Sequence, residues 1–214
     1  KPSIVVPLMN GRGHYEVLRE AFGKKVIAGT IGAVEASKLG KTVHHYSEER
    51  PKIELGSNDV SLLEKLSVLE DTLKLVGLKA EILTREEDVI WNKLIRLDVI
   101  ASMTTALQKN LGEVLESKSS RLLLQGLLDE AVLVAQKQGA FFSSSKVLSD
   151  IRKLPRSLNT SMQRDVKSGR ASEVASITGG IITLAQKYGV PVPMHQKVFL
   201  LIEDQVYKAR RLQG

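Results

Sequence analysis

Two hydrophobic patterns divide the chain near residue 58. Before that point, short apolar runs rich in β-branched residues are bounded by Gly or Pro, as strands are. The first run covers residues 4–8 and stops at a turn over residues 10–13, after which residues 15–22 show helical spacing. Further strand-like runs follow at residues 25–30, 42–46 and 52–55. The pattern predicts one strand–turn–helix unit and then a short β-meander.

After residue 58 the apolar positions recur at helical intervals, beginning with Leu62 and Leu66. A short strand is predicted at residues 80–83. Helices are predicted at residues 86–108, 117–138, 145–151, 158–167, 171–188 and 194–212. The sequence therefore predicts a strand-rich piece over residues 1–57 and a helical piece over residues 58–214. The first piece is too small for a complete dinucleotide-binding domain, which needs two βαβ halves.

Composition narrows the class of protein. The 214 residues include 31 Lys and Arg against 24 Asp and Glu, a formal charge of +7, and no Cys, which excludes disulfides and thiolate metal sites. No apolar run approaches the roughly 20 residues of a membrane helix, and the start lacks the layout of a signal peptide, so we expect a soluble, cytoplasmic protein without a membrane partner. The positive charge suits anionic small ligands better than nucleic acid, because four Phe, four Tyr and one Trp leave little for base stacking.

The turn Gly11-Arg12-Gly13 is similar to the opening of a dinucleotide fingerprint. Glu16 holds the third glycine position, so the pattern G-x-G-x-x-G fails, and its carboxylate would repel a pyrophosphate. Asn10 and Gly11 still let a ligand approach the backbone closely. The alternative is a plain turn, because Asn-Gly is a common turn dipeptide.

The four histidines, His14, His44, His45 and His195, offer no predicted metal site. His44 and His45 are adjacent on a predicted strand, so they point to opposite faces. The sequence also lacks the His spacings of zinc sites, the nucleophile elbow G-x-S-x-G and the phosphate loop G-x-x-x-x-G-K-[ST]. These absences disfavour a metalloenzyme, a serine hydrolase and a nucleoside-triphosphatase.

Lys93 lies beside the apolar face of the helix predicted over residues 86–108. A lysine close to packed helices is partly desolvated, which makes its ammonium a better proton donor. The alternative is a surface lysine whose stem covers apolar neighbours while its ammonium stays in water.

A second group of candidate polar residues lies between two predicted helices. Ser161 and Asp165 are four residues apart and therefore share a helical face. Glu173 reaches the same side if the chain turns at Gly169. These three side chains are candidates for a common site.

Capping is the alternative for the same segment. Ser172 can cap a new helix, with Glu173 favourably placed in its first turn. Asp165 can equally be a solvated partner of Lys167 or Arg170.

These segments together resemble ketopantoate reductase, that is 2-dehydropantoate 2-reductase, a family of NADP-dependent reductases. The resemblance covers most of the chain. It rests on an Asn-Gly-x-Gly turn, a Trp-x-Lys-Leu motif with a following Thr-Ala-Leu, and a Ser-Met-x-x-Asp motif followed by Gly-Arg-x-x-Glu. In this chain these stand at Asn10-Gly11-Arg12-Gly13, Trp91-Asn92-Lys93-Leu94, Thr105-Ala106-Leu107, Ser161-Met162-Gln163-Arg164-Asp165 and Gly169-Arg170-Ala171-Ser172-Glu173.

The resemblance implies a role for each matched residue. Lys93 would protonate the carbonyl oxygen of the substrate as hydride arrives from the nicotinamide of NADP, and Glu173 would hold the hydroxyl end of the substrate as a second catalytic residue. Ser161 would bind the substrate carboxylate, and Asp165 would organise the site. The cofactor-binding residues implied in the same way are Asn10, Gly11 and Glu173.

Two departures from the family pattern bear on the substrate and the cofactor. Where the family commonly has Asn one and two helical turns after the lysine, this chain has Leu97 and Ala101, so we assign substrate contacts to the neighbouring Asp98 and Ser102. The glycine-rich phosphate loop would lie before Lys1. Because the first residue is Lys and not Met, we expect the chain to be processed or to be numbered from inside a larger protein.

We therefore expect an α/β protein in which residues 1–57 are the incomplete second half of a dinucleotide-binding domain, a remnant of its sheet. Residues 58–214 would form a mostly α-helical domain for substrate binding and dimerisation. The expected function is NADP-dependent reduction of a 2-oxo acid, with 2-dehydropantoate as substrate, in pantothenate synthesis. The rival is a non-catalytic helical dimerisation or binding module that has lost its cofactor half, and a basic nucleic-acid binder ranks third.

The strand-rich piece also predicts self-association. If the parent sheet was completed by upstream strands, their removal leaves an unpaired edge and an apolar face that includes Ile4, Val6, Val26 and Ala28. Strands of a doubly wound sheet are normally covered on both faces. We therefore expect a homodimer or larger assembly, with contacts that include the N-terminal strands.

Overall fold

The structure is a computed structural model that describes residues 3–32, 34, 36–45 and 50–211. Tyr46 and Leu212, which end two predicted elements, lie outside the described residues. The chain forms two compact units, Lys1–Lys93 and Leu94–Gly214. The domains predicted over residues 1–57 and 58–214 stay a prediction, because a compact unit is not the same thing as a functional domain.

The described residues of the first unit form a small mixed sheet, a separate hairpin and two complete helices, together with the start of a third. Its strands are β1 (Ala28–Gly32), β2 (Ala36–Leu39), β3 (Thr42–His45), β4 (Lys52–Gly56) and β5 (Lys79–Leu83). Its complete helices are α1 (Gly13–Phe22) and α2 (Leu63–Leu75), and α3 (Glu86–Leu107) begins in this unit and continues into the second. Short 3-10 turns lie at Gly23–Lys25 and Val60–Leu62.

The strand order differs from the predicted meander. Strand β1 pairs antiparallel with β4, and β4 pairs parallel with β5, which gives the order β1-β4-β5. Strands β2 and β3 form their own two-stranded hairpin between β1 and β4 in the chain, so consecutive strands do not pair throughout. Strand β2 was not predicted. The α2 helix is the crossover that lets β5 return parallel to β4.

The prediction of a strand at residues 4–8 is wrong. Among the described residues, this segment forms one isolated parallel bridge, between Val5 and Val26, through the bonds from Val5 N to Lys25 O (2.8 Å) and from Ile27 N to Val5 O (3.1 Å). Pro7 has no backbone N–H, so it cannot donate to a ladder. The run is apolar because Val5 packs partly buried against the core.

The sheet of the first unit is covered on both faces. On one face Val26 and Ala28 pack with Tyr15 of α1 and with Val89 and Ile90 of α3. On the other face, residues of the strands and of the α2 region pack together with Ile4 and Val6 at the margin; the buried members are Ile27, Ile53, Leu55, Leu62 and Leu66.

This packing corrects the predicted uncovered face. Val26 and Ala28 are 2 % and 0 % exposed, and Ile4 and Val6 are half-buried. These four described residues therefore do not form the uncovered apolar face that was expected. Helix α1 folds back over β1 because the Tyr15 hydroxyl donates to Gly29 O (3.0 Å) and accepts from Gly29 N (3.1 Å).

The second unit is helical over the described residues. Besides the rest of α3, its helices are α4 (Leu111–Glu116), α5 (Lys118–Lys137), α6 (Ser144–Ile151), α7 (Ser161–Lys167), α8 (Thr178–Tyr188) and α9 (Pro193–Arg211). Side chains cap the first turns of four of them: Asn110 and Glu113 form a reciprocal capping box on α4, and Ser117, Ser143 and Thr160 cap α5, α6 and α7. The α/β class, with a mostly helical second part, is confirmed.

One predicted helix begins too early. Residues 171–173 are not helical, residues 174–177 form a turn, and α8 starts only at Thr178, so Ser172 does not cap it. Val174 and Ile177 are buried three residues apart, which imitates helical spacing in the sequence. No helix in the described ranges is long and apolar enough to cross a membrane.

Candidate active site

Lys93 stands on α3, near the end of the first unit. Its half-buried ammonium donates a hydrogen bond to Ile31 O of β1 over 2.8 Å. The flanking residues Trp91 and Leu94 are 0 % and 4 % exposed, so the helix is anchored in the core on both sides of the lysine. Lys93 is therefore neither a freely solvated surface lysine nor a fully buried one.

The neighbours of Lys93 fix how α3 lies on the sheet of the first unit. Asn92 donates from Nδ2 to both carboxylate oxygens of Glu54 on β4, at 3.0 and 2.9 Å, and Lys52 pairs with the same carboxylate at 2.9 Å. Asn58 Oδ1 accepts the backbone N–H of Glu86 at the start of α3 (3.2 Å). These contacts set the rotation of α3 and hence the position of the Lys93 ammonium.

The turn before α1 carries the predicted cofactor residues Asn10 and Gly11. Gly11 has φ +75°, the left-handed conformation that glycine adopts without strain. Arg12 stands at the start of α1 without a side-chain cap. Glu16 in the first turn of α1 disfavours a phosphate there, and the cofactor roles of Asn10 and Gly11 stay predictions.

His14 follows this turn and was considered in the sequence only as a metal ligand. Burial lowers its pKa, and the positive charge of Lys93 lowers it further, so the ring is neutral at pH 7. Its ring packs on Tyr15 with centroids 4.3 Å apart. Within the described part of the chain, His14 Nε2 is enclosed without a hydrogen-bond partner. The effect of the Lys93 charge on the pKa of His14 could not be predicted from the sequence.

Ser161, Asp165 and Glu173 all lie in the second unit. Ser161 is an exposed first residue of α7, next to the capping Thr160. Asp165 Oδ1 accepts from Arg170 Nε (3.0 Å) and Nη2 (2.7 Å), which confirms the pairing with Arg170 that the sequence left open. The site roles that the sequence assigned to these three residues stay predictions.

Glu173 occupies a turn rather than a helix. Its carbonyl accepts the backbone N–H groups of Ser176 (3.1 Å) and Ile177 (2.9 Å), and its side chain is half-buried. The turn leads directly into α8 at Thr178. Glu173 therefore depends on the start of α8 for its position.

Asp98 and Ser102 are fully enclosed, each 0 % exposed, on the part of α3 that belongs to the second unit. Ser102 Oγ donates to Asp98 Oδ1 (3.1 Å) and lies 2.7 Å from Thr178 Oγ1. Both side chains are thus engaged within the protein. Their predicted contact with substrate stays a prediction.

A buried histidine that the sequence did not single out for a role completes this group. His195 Nε2 lies 2.8 Å from Asp98 Oδ2, and His195 Nδ1 lies 2.7 Å from Glu130 Oε2. The Glu130 carboxylate also accepts the backbone N–H groups of Met194 (2.7 Å) and His195 (2.9 Å) at the start of α9. The cluster ties α3, α5 and α9 together.

The protonation states of this cluster follow from its geometry. Burial alone would lower the pKa of His195, but the charge and hydrogen bond of Asp98, followed by those of Glu130, raise it to about 9. Burial alone would raise the pKa of Glu130, but hydrogen bonds from His195 and from the two backbone N–H groups lower it on balance. At pH 7 an imidazolium therefore lies between two carboxylates.

The sequence-based candidates fall into two sets. Lys93, Asn10 and Gly11 belong to the first unit, and the remaining candidates belong to the second. The structure brings Asp98 and Ser102 into contact with each other. Among the described residues, no group of three His, Asp or Glu side chains is arranged to hold a metal ion.

Comparison with curated proteins finds relatives along almost the whole chain. The uncharacterized oxidoreductase YkpB of Bacillus subtilis (strain 168) is 26 % identical over 98 % of this chain and 69 % of its own length. A 2-dehydropantoate 2-reductase of Archaeoglobus fulgidus is 24 % identical over 93 % of this chain and 67 % of its own length. The chain therefore spans about two thirds of these relatives.

The fold also matches a solved structure. A complex of D-mandelate dehydrogenase with NADH aligns over 96 % of this chain and 71 % of its own with a TM-score of 0.86, at 21 % identity. At that identity the match concerns the fold. The family model described as ketopantoate reductase PanE/ApbA C terminal matches residues 87–205, more than half of the chain and the part that carries Lys93, Ser161, Asp165 and Glu173. The chain therefore belongs to the ketopantoate reductase family of oxidoreductases.

Proposed function

We propose that the protein, as its gene encodes it, reduces a 2-oxo acid with NADP as cofactor, and that the substrate is 2-dehydropantoate. The observation that carries this proposal is Lys93, whose ammonium already holds a carbonyl oxygen, that of Ile31, at 2.8 Å. A proton donor needs the same relation to a substrate carbonyl. Family membership and the relative named 2-dehydropantoate 2-reductase support the reaction class.

Lys93 supplies charge and a proton in this proposal. Reduction of a ketone builds negative charge on its oxygen, and an ammonium at about 3 Å stabilises that charge and then protonates it. Partial burial strengthens the interaction because less water screens it. The ammonium exchanges its bond to Ile31 O for one to the substrate oxygen.

Ser161, Asp165 and Glu173 bind and orient the substrate. The exposed hydroxyl of Ser161 donates to the substrate carboxylate, and the Glu173 carboxylate accepts from the substrate hydroxyl. Asp165 holds Arg170 through two hydrogen bonds to one oxygen, which stiffens the segment between Ser161 and Glu173. The net charge of +7 favours both an acidic substrate and a phosphorylated cofactor.

NADP fits the described residues only in part. The reduced form, NADPH, would supply the hydride when bound and would be oxidised to NADP. The absence of a Cβ at Gly11 and its φ of +75° support the proposal that a flat ring approaches the backbone at this turn. The 214-residue sequence holds no G-x-G-x-x-G loop for the pyrophosphate.

The first test concerns this cofactor. We expect the 214-residue chain to bind NADPH weakly or not at all, because the pyrophosphate lacks its backbone donors. Titration calorimetry with the isolated chain measures this directly. Micromolar affinity would contradict the expectation and would point to a phosphate site elsewhere in the chain.

We further propose that the protein is a homodimer, but not through the sheet face that the sequence indicated. Helix α9 exposes Leu200 and Tyr207, which are 69 % and 60 % accessible and lie seven residues apart on one face. Exposed apolar side chains on one helical face favour association with a second copy.

Light scattering at low micromolar concentration should return twice the 23.5 kDa mass of one chain. Leu200→Glu should shift the protein towards the monomer, whereas Leu122→Glu, an equally exposed leucine on α5, should not. A monomer of 23.5 kDa in the unaltered protein would contradict self-association.

The experiment that tests the proposed function is an assay of NADPH oxidation by the protein as its gene encodes it. 2-Dehydropantoate should support oxidation, and a panel of other 2-oxo acids measures how far Leu97 and Ala101 have changed the preference. The rival, a non-catalytic binding module, predicts no oxidation with any 2-oxo acid although the protein is folded.

A further inference from the structure

Thr178, the first residue of α8, is bonded to α3 through a directed hydrogen bond. Thr178 Oγ1 and Ser102 Oγ are 2.7 Å apart, and either could donate on distance alone. Ser102 has a single hydroxyl hydrogen, and it goes to Asp98 Oδ1 at 3.1 Å. Thr178 is therefore the donor, and its hydrogen points to Ser102.

The direction of the hydrogen bond between Thr178 and Ser102 depends on the other members of the cluster, Asp98, His195 and Glu130. Asp98 Oδ2 faces His195 Nε2 at 2.8 Å, and His195 Nδ1 faces Glu130 Oε2 at 2.7 Å. Both ring nitrogens face carboxylates, so both donate. Asp98 therefore accepts from His195 through Oδ2, and its Oδ1 accepts from Ser102.

Thr178 directly follows the turn that contains Glu173. Glu173 O accepts the N–H groups of Ser176 and Ile177, and Val174 O accepts that of Gly179. The Val174–Gly179 bond spans Thr178, which is 0 % exposed, and so joins the start of α8 to the turn. A displacement of Thr178 therefore displaces the turn.

We propose that His195, Asp98, Ser102 and Thr178 form a positioning relay that fixes the turn bearing Glu173 and thereby sets the preference for a hydroxylated 2-oxo acid. The part of this inference that concerns substrate rests on the proposed function. The four residues act through Glu173, and none of them needs to touch substrate.

Thr178→Val tests the relay at its near end, because valine keeps the shape and removes the donor. On the 214-residue chain, hydrogen exchange of the Ser176 and Ile177 amides should accelerate about tenfold, the usual scale for a lost buried hydrogen bond. Thr178→Ser keeps the hydroxyl and should restore slow exchange. Amides of α6 serve as the internal reference for global opening.

Thr105→Val is the matched control. Thr105 lies on the same helix as Ser102, is also 0 % exposed, and its hydroxyl finds no hydrogen-bond partner among the described residues. Its removal should leave exchange at Ser176 and Ile177 unchanged. This control separates the loss of a buried hydroxyl from the loss of the relay.

His195→Gln tests the relay at its far end. Exchange at Ser176 and Ile177 should accelerate relative to the α6 reference, and Asp98→Asn should give the same pattern if the first variant does not fold. Unchanged exchange at these amides in Thr178→Val would overturn the relay, whatever the protein reduces.

The effect of the relay on substrate preference is tested with the protein as its gene encodes it. Thr178→Val should lower kcat/KM for 2-dehydropantoate about tenfold more than for 2-oxoisovalerate, which lacks the hydroxyl, and Thr178→Ser should restore the ratio. Accelerated exchange with an unchanged ratio would overturn the link from the relay to substrate preference, while the relay itself would stand. Absence of any 2-oxo acid reduction by the unaltered protein would overturn the proposed function instead.

Discussion

Replacing Lys93 by alanine is expected to lower turnover with 2-dehydropantoate at least about a hundredfold in the protein as its gene encodes it. The reason is that the oxygen of the ketone must receive a proton as its charge develops, and Lys93 is the half-buried ammonium that already holds a carbonyl oxygen at 2.8 Å. Steady-state oxidation of NADPH, followed by absorbance, measures the loss.

The variant Lys93→Arg separates proton donation from positive charge, and Lys109→Ala is the control. Lys93→Arg keeps the positive charge but does not release a proton near neutral pH, so its turnover should also stay low. Lys109→Ala removes an exposed lysine just beyond the end of α3 and should leave turnover unchanged. Turnover near normal in Lys93→Ala would remove this residue from the mechanism.

The second large effect concerns stability. His195→Gln should lower the free energy of unfolding by about 3 to 5 kcal/mol near pH 6, because it leaves the buried carboxylates of Asp98 and Glu130 without a cation between them. Urea unfolding of the 214-residue chain measures the change. His45→Gln, which replaces an exposed histidine of the β2–β3 hairpin, should cost little.

The stability lost in His195→Gln should depend on pH. The pKa of His195 is about 9 in the folded protein and 6.5 in the unfolded chain, so its stabilisation is fully present below about pH 6.5 and is lost as pH rises through 9. The difference between the unaltered protein and the variant should shrink by about 3 kcal/mol over that range. A difference that is constant from pH 6 to 9.5 would contradict an imidazolium between the carboxylates.

Long periodic segments of this fold could be predicted from sequence, and short ones set by tertiary contacts could not. The helix predicted at residues 86–108 is observed as Glu86–Leu107, because its apolar stripe is continuous. Helix α4 has only six residues and was missed, although Asn110 and Glu113 carry a readable capping pattern. The apolar run at residues 4–8 and the buried pair Val174 and Ile177 misled the prediction, because burial there does not come from regular structure.

The same contrast between local patterns and long-range contacts applies to the residues of the candidate site. Lys93, Ser161 and Glu173 could be proposed from the sequence because they stand in short motifs whose residues are close in the chain. The cluster of His195, Asp98 and Glu130 joins positions 97 and 65 residues apart, so no local pattern could predict it. A weak signal was present, since Asp98 and Glu130 interrupt the apolar faces of α3 and α5, where a polar residue needs a partner.

Chemical rescue of Lys93→Ala is the most direct test of the central claim, that Lys93 protonates the oxygen of a reduced 2-oxo acid. Turnover of this variant should rise in proportion to added methylammonium, which brings a proton to the vacated volume. Tetramethylammonium carries the charge without a transferable proton and should restore nothing. Equal rescue by both ions, or undiminished turnover of Lys93→Ala without any added amine, would contradict the claim.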